Sequence, residues 1–188
     1  MASLNYDDIY QKMTFLNVTE LKYICDVYGI SYNILYNYNN KLKKSGYMMP
    51  KSTIINKLIE YLKNPNIEFK DVIIKKKLIN FDKIGDLKKE DNIYFGQYKN
   101  GNKKILKLIK ELTNDEFKFG AISCFIIRNA LYNNILMTYD EFSHIYMRYV
   151  NEGFDYGRDA LQYINYDGDN WKRDRLDAMR EIYKIYKI

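Results

Sequence analysis

Apolar residues recur at helical spacing along most of the chain. Asn17-Val-Thr-Glu20 has the form of a capping box, and Leu21, Ile24, Val27 and Tyr28 follow on one face. Gly29 stands where a helix ends most easily in a left-handed backbone. The pattern predicts a short amphipathic helix over 18–28. Lys51–Lys63 shows the same spacing through Ile54, Ile55, Leu58, Ile59, Tyr61 and Leu62, with Pro50 ahead of it and Asn64-Pro65 behind. Further helices are expected over Lys103–Leu112, Ala121–Asn134, Thr138–Tyr149 and Trp171–Tyr186. Thr113-Asn-Asp-Glu116 and Thr138-Tyr-Asp-Glu141 both have the capping-box form. Ala121–Asn134 is apolar nearly all round, as a buried central helix would be. The last helix carries one apolar stripe of Leu176, Met179, Ile182, Tyr183 and Tyr186.

Other stretches lack that period. Residues 31–40 hold four Asn and three Tyr, and KLKKSGYMMP follows. Asn side chains bond to nearby backbone and compete with helix. Residues 31–50 are therefore expected to be an irregular basic excursion, with one helical turn around 33–43. Asp71–Ile79 fits a strand or a helix equally well. Asn100-Gly101 suits a tight hairpin turn, and 151–170 reads as loop or short helix. The fold class expected is mainly α. A helical module over 1–64 precedes a lysine-rich linker or subdomain over 65–100 and a helical domain over 101–188.

At 188 residues the chain is long enough to bury a core without staples, and 47% hydrophobic with 29% charged residues is a globular composition. Asn, Lys, Ile, Tyr and Phe are abundant, and all have AT-rich codons. This bias would suit a large DNA virus. Cys25 and Cys124 form no C-x-x-C, which argues against a disulfide framework or a thiolate zinc site. No basic leader with a long apolar run appears, nor any apolar stretch of the length a membrane span needs. A soluble intracellular protein with no membrane partner is expected, placed in the nucleus or a viral factory if it meets DNA.

The net charge of +6 is unevenly placed. The first 110 residues carry +9 and the remainder −3, and arginine is absent before Arg128. Lysine is a mobile point charge, suited to phosphate attraction and poorly suited to bidentate base reading. Lys75, Lys76, Lys77, Lys88, Lys89, Lys99, Lys103, Lys104 and Lys107 extend the basic run of the first helices.

Catalytic signals are weak. Asp167-Gly-Asp169-Asn170 opens like a calcium loop, but Lys172 and Ala178 occupy the positions that need Gly and Glu. His144 is the only histidine and sits within a helical segment. No phosphate-binding loop, dinucleotide fingerprint, nucleophile elbow or zinc-protease motif occurs. A metal-dependent nuclease would have to draw on Asp155, Asp159, Asp167, Asp169, Asp174 and Asp177, which nothing else selects. The chain is expected to be non-enzymatic, with no catalytic, cofactor-binding or metal residues and no cofactor.

Residues 15–62 resemble a SAP motif, a short helix–loop–helix module of chromatin and DNA-repair proteins. The likeness runs through Leu16-Asn-Val18-Thr-Glu20-Leu21-Lys22 and Tyr28-Gly29-Ile30-Ser31. It resumes at Lys51-Ser-Thr-Ile54-Ile55-Asn-Lys57-Leu58 and ends at Tyr61-Leu62. Gly29 and Lys51 are 22 positions apart, an insertion of about 15 over the family pattern, and Met49-Pro50 replaces its usual glycine. The resemblance implies weak, backbone-directed binding of double-stranded DNA, often AT-rich, with Lys22, Lys51, Ser52 and Lys57 as contacts. Lys41, Lys43 and Lys44 lie in the insertion and join the list on charge alone. The three capped helices of the C-terminal part also invite a helix-turn-helix reading. The alternative to DNA binding is a protein–protein adaptor, a homodimer included, that uses the Tyr- and Ile-rich segment 23–38 as a docking surface.

Overall fold

The computed structural model describes residues 4–81, 85–97, 102–153 and 168–188, with the backbone alone for 168–171. Within them lie seven α-helices, a 3-10 turn and a three-stranded sheet. The mainly α expectation is corrected: the chain is α/β. Its contacts draw two units that cut across the three consecutive segments expected from sequence.

The first unit comprises residues 1–32, 49–71 and 156–188. It holds α1 (Tyr6–Phe15), α2 (Val18–Val27), α3 (Lys51–Lys63) and α7 (Gly168–Tyr186). Helix α1 was not expected, although Ile9, Met13 and Leu16 recur four and three residues apart and are all buried. Asn5 caps it by accepting from the Asp7 and Asp8 amides. Helix α2 carries the expected capping box: Glu20 N–H donates to Asn17 at 2.9 Å, and Asn17 N–H donates to Glu20 at 2.8 Å. Gly29 follows at φ 66°. Leu21, Ile24 and Cys25 of α2 pack with Ile54, Ile55 and Leu58 of α3 and with Ile182 and Tyr186 of α7 in the core. The Tyr186 hydroxyl donates to the Leu58 carbonyl at 2.6 Å, and Tyr28 donates to the Tyr186 carbonyl. Leu176, expected on the buried stripe of α7, is exposed, and Ala178 takes its place in the core.

The second unit comprises residues 33–48 and 72–155. Residues 33–48 are a β-hairpin, which corrects the irregular excursion expected there. The asparagines that oppose helix suit a left-handed turn. Asn39 and Asn40, at φ 50° and 60°, close β1 (Asn33–Tyr38) onto β2 (Lys41–Met48). A two-residue turn with both φ positive matches the natural twist of paired strands. Strand β3 (Val72–Ile74) lies parallel to β1, giving the order β2–β1–β3. The ambiguous 71–79 stretch thus supplies a strand and then a 3-10 turn at Lys76–Leu78.

Helices α4 (Lys103–Leu112), α5 (Ala121–Tyr132) and α6 (Tyr139–Glu152) complete this unit. Helix α5 packs on β3 and α6, and α4 on α6. Phe117, Phe142 and Tyr146 form an aromatic cluster in its core. Thr138 caps α6 as expected, accepting from Glu141 N–H at 3.1 Å. Thr113 does not open a helix. Its hydroxyl donates to the Ile109 carbonyl at 2.7 Å, and Asn114 and Asp115 both take positive φ, so it ends α4. The expected Asn100-Gly101 turn and most of the 151–170 loop lie outside the described residues. No described helix is long and apolar enough to cross a membrane.

Candidate nucleic-acid interface

The seven residues expected to contact DNA divide between the two units. Lys22, Lys51, Ser52 and Lys57 belong to the first. Lys51 and Lys57 point inward, and their assignment as phosphate contacts is corrected. Lys51 is 5% exposed, and its Nζ donates to the Thr14 carbonyl at 2.6 Å. Lys57 is 9% exposed, donates to the Ser31 carbonyl at 2.8 Å and lies 5.0 Å over the Phe69 ring. Burial holds the Lys57 ammonium below the ordinary lysine pKa. At positions 51 and 57 the helical period that puts Ile54, Ile55 and Leu58 in the core also carries the lysine stems there. Their charged ends are held by loop carbonyls. Pro50 and Lys51 are both buried where α1 packs on α3. Ser52 is half-buried one position further on. Lys22 is half-buried, 5.6 Å from the Tyr32 ring.

Lys41, Lys43 and Lys44 belong to the second unit, and all three are exposed. The register opposes Tyr36 to Lys43 and Tyr38 to Lys41, while Tyr36 pairs with Ile74 of β3. These five side chains therefore share one face. The Lys43 Nζ lies 4.3 Å over the Tyr38 ring. Leu35, Asn37, Leu42, Lys44 and Ile73 share the other face. Near its far end β2 bulges: three residues separate Lys44 from Met48 where one separates Leu35 from Asn33, and Gly46 turns through φ 83°.

A run of rings crosses the first face. Tyr38 meets Phe81 edge-on at 5.5 Å, Phe81 meets Tyr36 at 6.2 Å, Tyr36 meets Phe95 at 4.8 Å, and Phe95 meets Tyr47 at 6.3 Å. The run grades from wet to dry. Phe81 is 60% and Tyr38 40% exposed. At the other end burial pushes the Tyr47 phenol up to about 12, so it stays neutral. Beside Tyr38 and Phe81 a groove of about 570 Å³ opens, with Ile74 and Ile79 in its lining and Lys76 at its edge.

Charge is one-sided here. Residues 33–48 and 72–81 contain six lysines, Lys41, Lys43, Lys44, Lys75, Lys76 and Lys77, and no Asp or Glu. All six are exposed, and none is ion-paired among the described residues. Lys12, Lys104 and Lys107, by contrast, each sit within 4 Å of a carboxylate. Sequence reasoning found the lysines but missed Tyr38 and Phe81. The signal for Tyr38 was present: Ile34, Tyr36 and Tyr38 alternate with polar or smaller positions up to an Asn-Asn pair. Phe81 reaches the site only through the parallel pairing of β3.

Nothing comparable gathers around the acidic residues. Asp155, Asp159 and Asp167 lie outside the described residues. Asp174 neighbours Arg173 at 3.5 Å, and Asp177 pairs with Arg180 at 3.1 Å. Among the described residues no three His, Cys, Asp or Glu side chains come together as a metal-binding group. His144 is exposed, with Nδ1 2.9 Å from the Asp140 carbonyl one turn back. No known protein family, curated protein or solved structure matches the chain.

Proposed function

We propose that the chain is a non-enzymatic DNA-binding protein that holds the phosphate backbone with little sequence preference, through the lysines of the β2–β1–β3 sheet. One observation carries this reading: six exposed lysines on residues 33–48 and 72–81 with no acidic residue among them. Phosphate binding by point charges releases counterions, so affinity falls with salt in proportion to the phosphates neutralised. Six contacts give a log–log slope of about −5 on duplex DNA. The test is a titration of a labelled duplex at several salt concentrations. Affinity indifferent to salt, or absent at low salt, ends the reading.

A protein–protein adaptor, the homodimer included, is the second reading. It draws on the opposite face of the sheet, where Leu42 and Ile73 are exposed beside Leu35. Sedimentation of a salt-resistant dimer, unchanged by added DNA and broken by Leu42→Glu, would favour it.

A further inference from the structure

Resting on that phosphate-binding reading, we infer that the groove beside Tyr38 and Phe81 seats an unpaired base, so that the preferred ligand is a single strand. Two aromatic rings are held open to solvent there, and a groove of about 570 Å³ lies beside them. That volume falls in the range of small-ligand sites. A duplex offers a protein phosphates and base edges, while its base faces are stacked away. Exposed ring faces are matched only by bases that have left the stack. Buried Ile74, with Ile79, supplies an apolar lining, and the Asn37, Asn39 and Asn40 amides supply both donors and acceptors.

Charge complementarity fixes the occupant's chemistry. Lys76 edges the groove, and Lys41 and Lys43 stand on the same sheet face as Tyr38. A base seated in the groove therefore has cations within reach of its flanking phosphates. Lys43 already lies over one face of Tyr38, and Phe81, the most exposed ring, is the principal stacking surface. Lysines without arginine, and amides that serve either edge of any base, give a site tolerant of sequence.

The experiment measures anisotropy of labelled (dT)20, (rU)20 and a (dT)20·(dA)20 duplex with the full chain and with Phe81→Ala and Phe81→Trp. Phe81 is largely solvent-facing, and the circular dichroism of each variant confirms its fold. The expected result is tighter binding of (dT)20 or (rU)20 than of duplex. Phe81→Ala should weaken the single strands by about 5- to 140-fold, the range for one stacked base, leave the duplex within about twofold, and be rescued by Phe81→Trp. The ratio of (dT)20 to (rU)20 affinity identifies which strand is the ligand. Salt-dependent duplex binding with no single-strand preference, or with no loss in Phe81→Ala, overturns the base pocket and leaves the phosphate reading standing. Failure of all three probes to bind overturns both.

Discussion

Exchanging lysines at two sets of positions should separate the folding role of one set from the binding role of the other. In the first unit Lys51→Met keeps an apolar stem of similar length but removes the ammonium that donates to the Thr14 carbonyl at 2.6 Å. A hydrogen bond from a charged group contributes about 1.5–3 kcal/mol, and a carbonyl left buried without a partner costs a comparable amount. Met recovers part of this by filling the same space. The net loss is about 2 kcal/mol, which for a chain of this length lowers Tm by roughly 4–8 °C. In the second unit the triple change Lys41→Gln, Lys43→Gln and Lys44→Gln removes three exposed charges without emptying any core position. Its Tm should move by less than about 2 °C, while the salt slope on DNA should shrink by about 3. Thermal denaturation followed by circular dichroism and a salt series of anisotropy titrations measure both quantities on both proteins. Should Lys51→Met keep its Tm and lose salt slope, Lys51 would face the nucleic acid and the inward assignment would be wrong.

Three further outcomes follow from the packing. Glu20 closes the α2 capping box and pairs with Arg175, its Oε2 3.3 Å from Arg175 Nε, so Glu20→Ala should cost about 2–4 kcal/mol in a urea titration; a loss under about 1 kcal/mol would show the pair to be idle. Asn40 sits at φ 60°, so Asn40→Val should cost about 1–2 kcal/mol and speed amide exchange in β1, while Asn40→Gly should not; equal exchange in the two variants would deny the turn its role. Burial pushes the Cys25 thiol from 9.0 and the Tyr139 phenol from 10.0 up to about 12, and raises Tyr186 as well. The unfolded chain therefore ionises first: stability is complete below about pH 9 and falls as pH rises from 9 towards 12, the Cys25 share alone reaching about 4 kcal/mol. Tyrosinate absorbance that rises smoothly through pH 10 in the folded protein would contradict this.

The helices were largely legible because a capping box and a 3.6-residue period are local signals. Asn17–Glu20 and Thr138–Glu141 formed the caps their sequence spells. Thr113–Glu116 spells the same box, yet Thr113 ends a helix, because its hydroxyl finds the Ile109 carbonyl four residues back. A cap motif records which bonds are available, and the apolar pattern on either side decides their direction. The sheet was hidden for a different reason. Its central pair depends on a left-handed Asn-Asn turn where glycine is the usual sign, and its third strand is three residues long. The site lysines were visible as charge, but burial was not. Lys51 and Lys57 lie six apart on the same helix, and each leans over a carbonyl supplied by a distant loop. Residues 14 and 31 carry no mark in sequence that they will accept from them.

Lysines on an edge strand also have a structural use, since they discourage sheets from pairing end to end. That use does not account for the distribution found here. Strand β2 is an edge, and one or two charges would blunt it, of either sign. Three lysines on β2 are joined by three more beyond β3, where the 3-10 turn has already left the ladder. Lys41 and Lys43 stand two positions apart on one face, about 7 Å along a strand, and repel by about 0.6 kcal/mol in water before salt screens them. A single glutamate among residues 33–48 or 72–81 would relieve such repulsion and protect the edge equally well, yet neither stretch holds one. A surface that keeps this repulsion and lays Phe81 and Tyr38 open beside it is explained by an anionic ligand with flat apolar parts. Edge protection alone predicts that Lys41→Glu, Lys43→Glu and Lys44→Glu would preserve a monomer and lose nothing else. The ligand reading predicts the same monomer with its nucleic-acid affinity abolished.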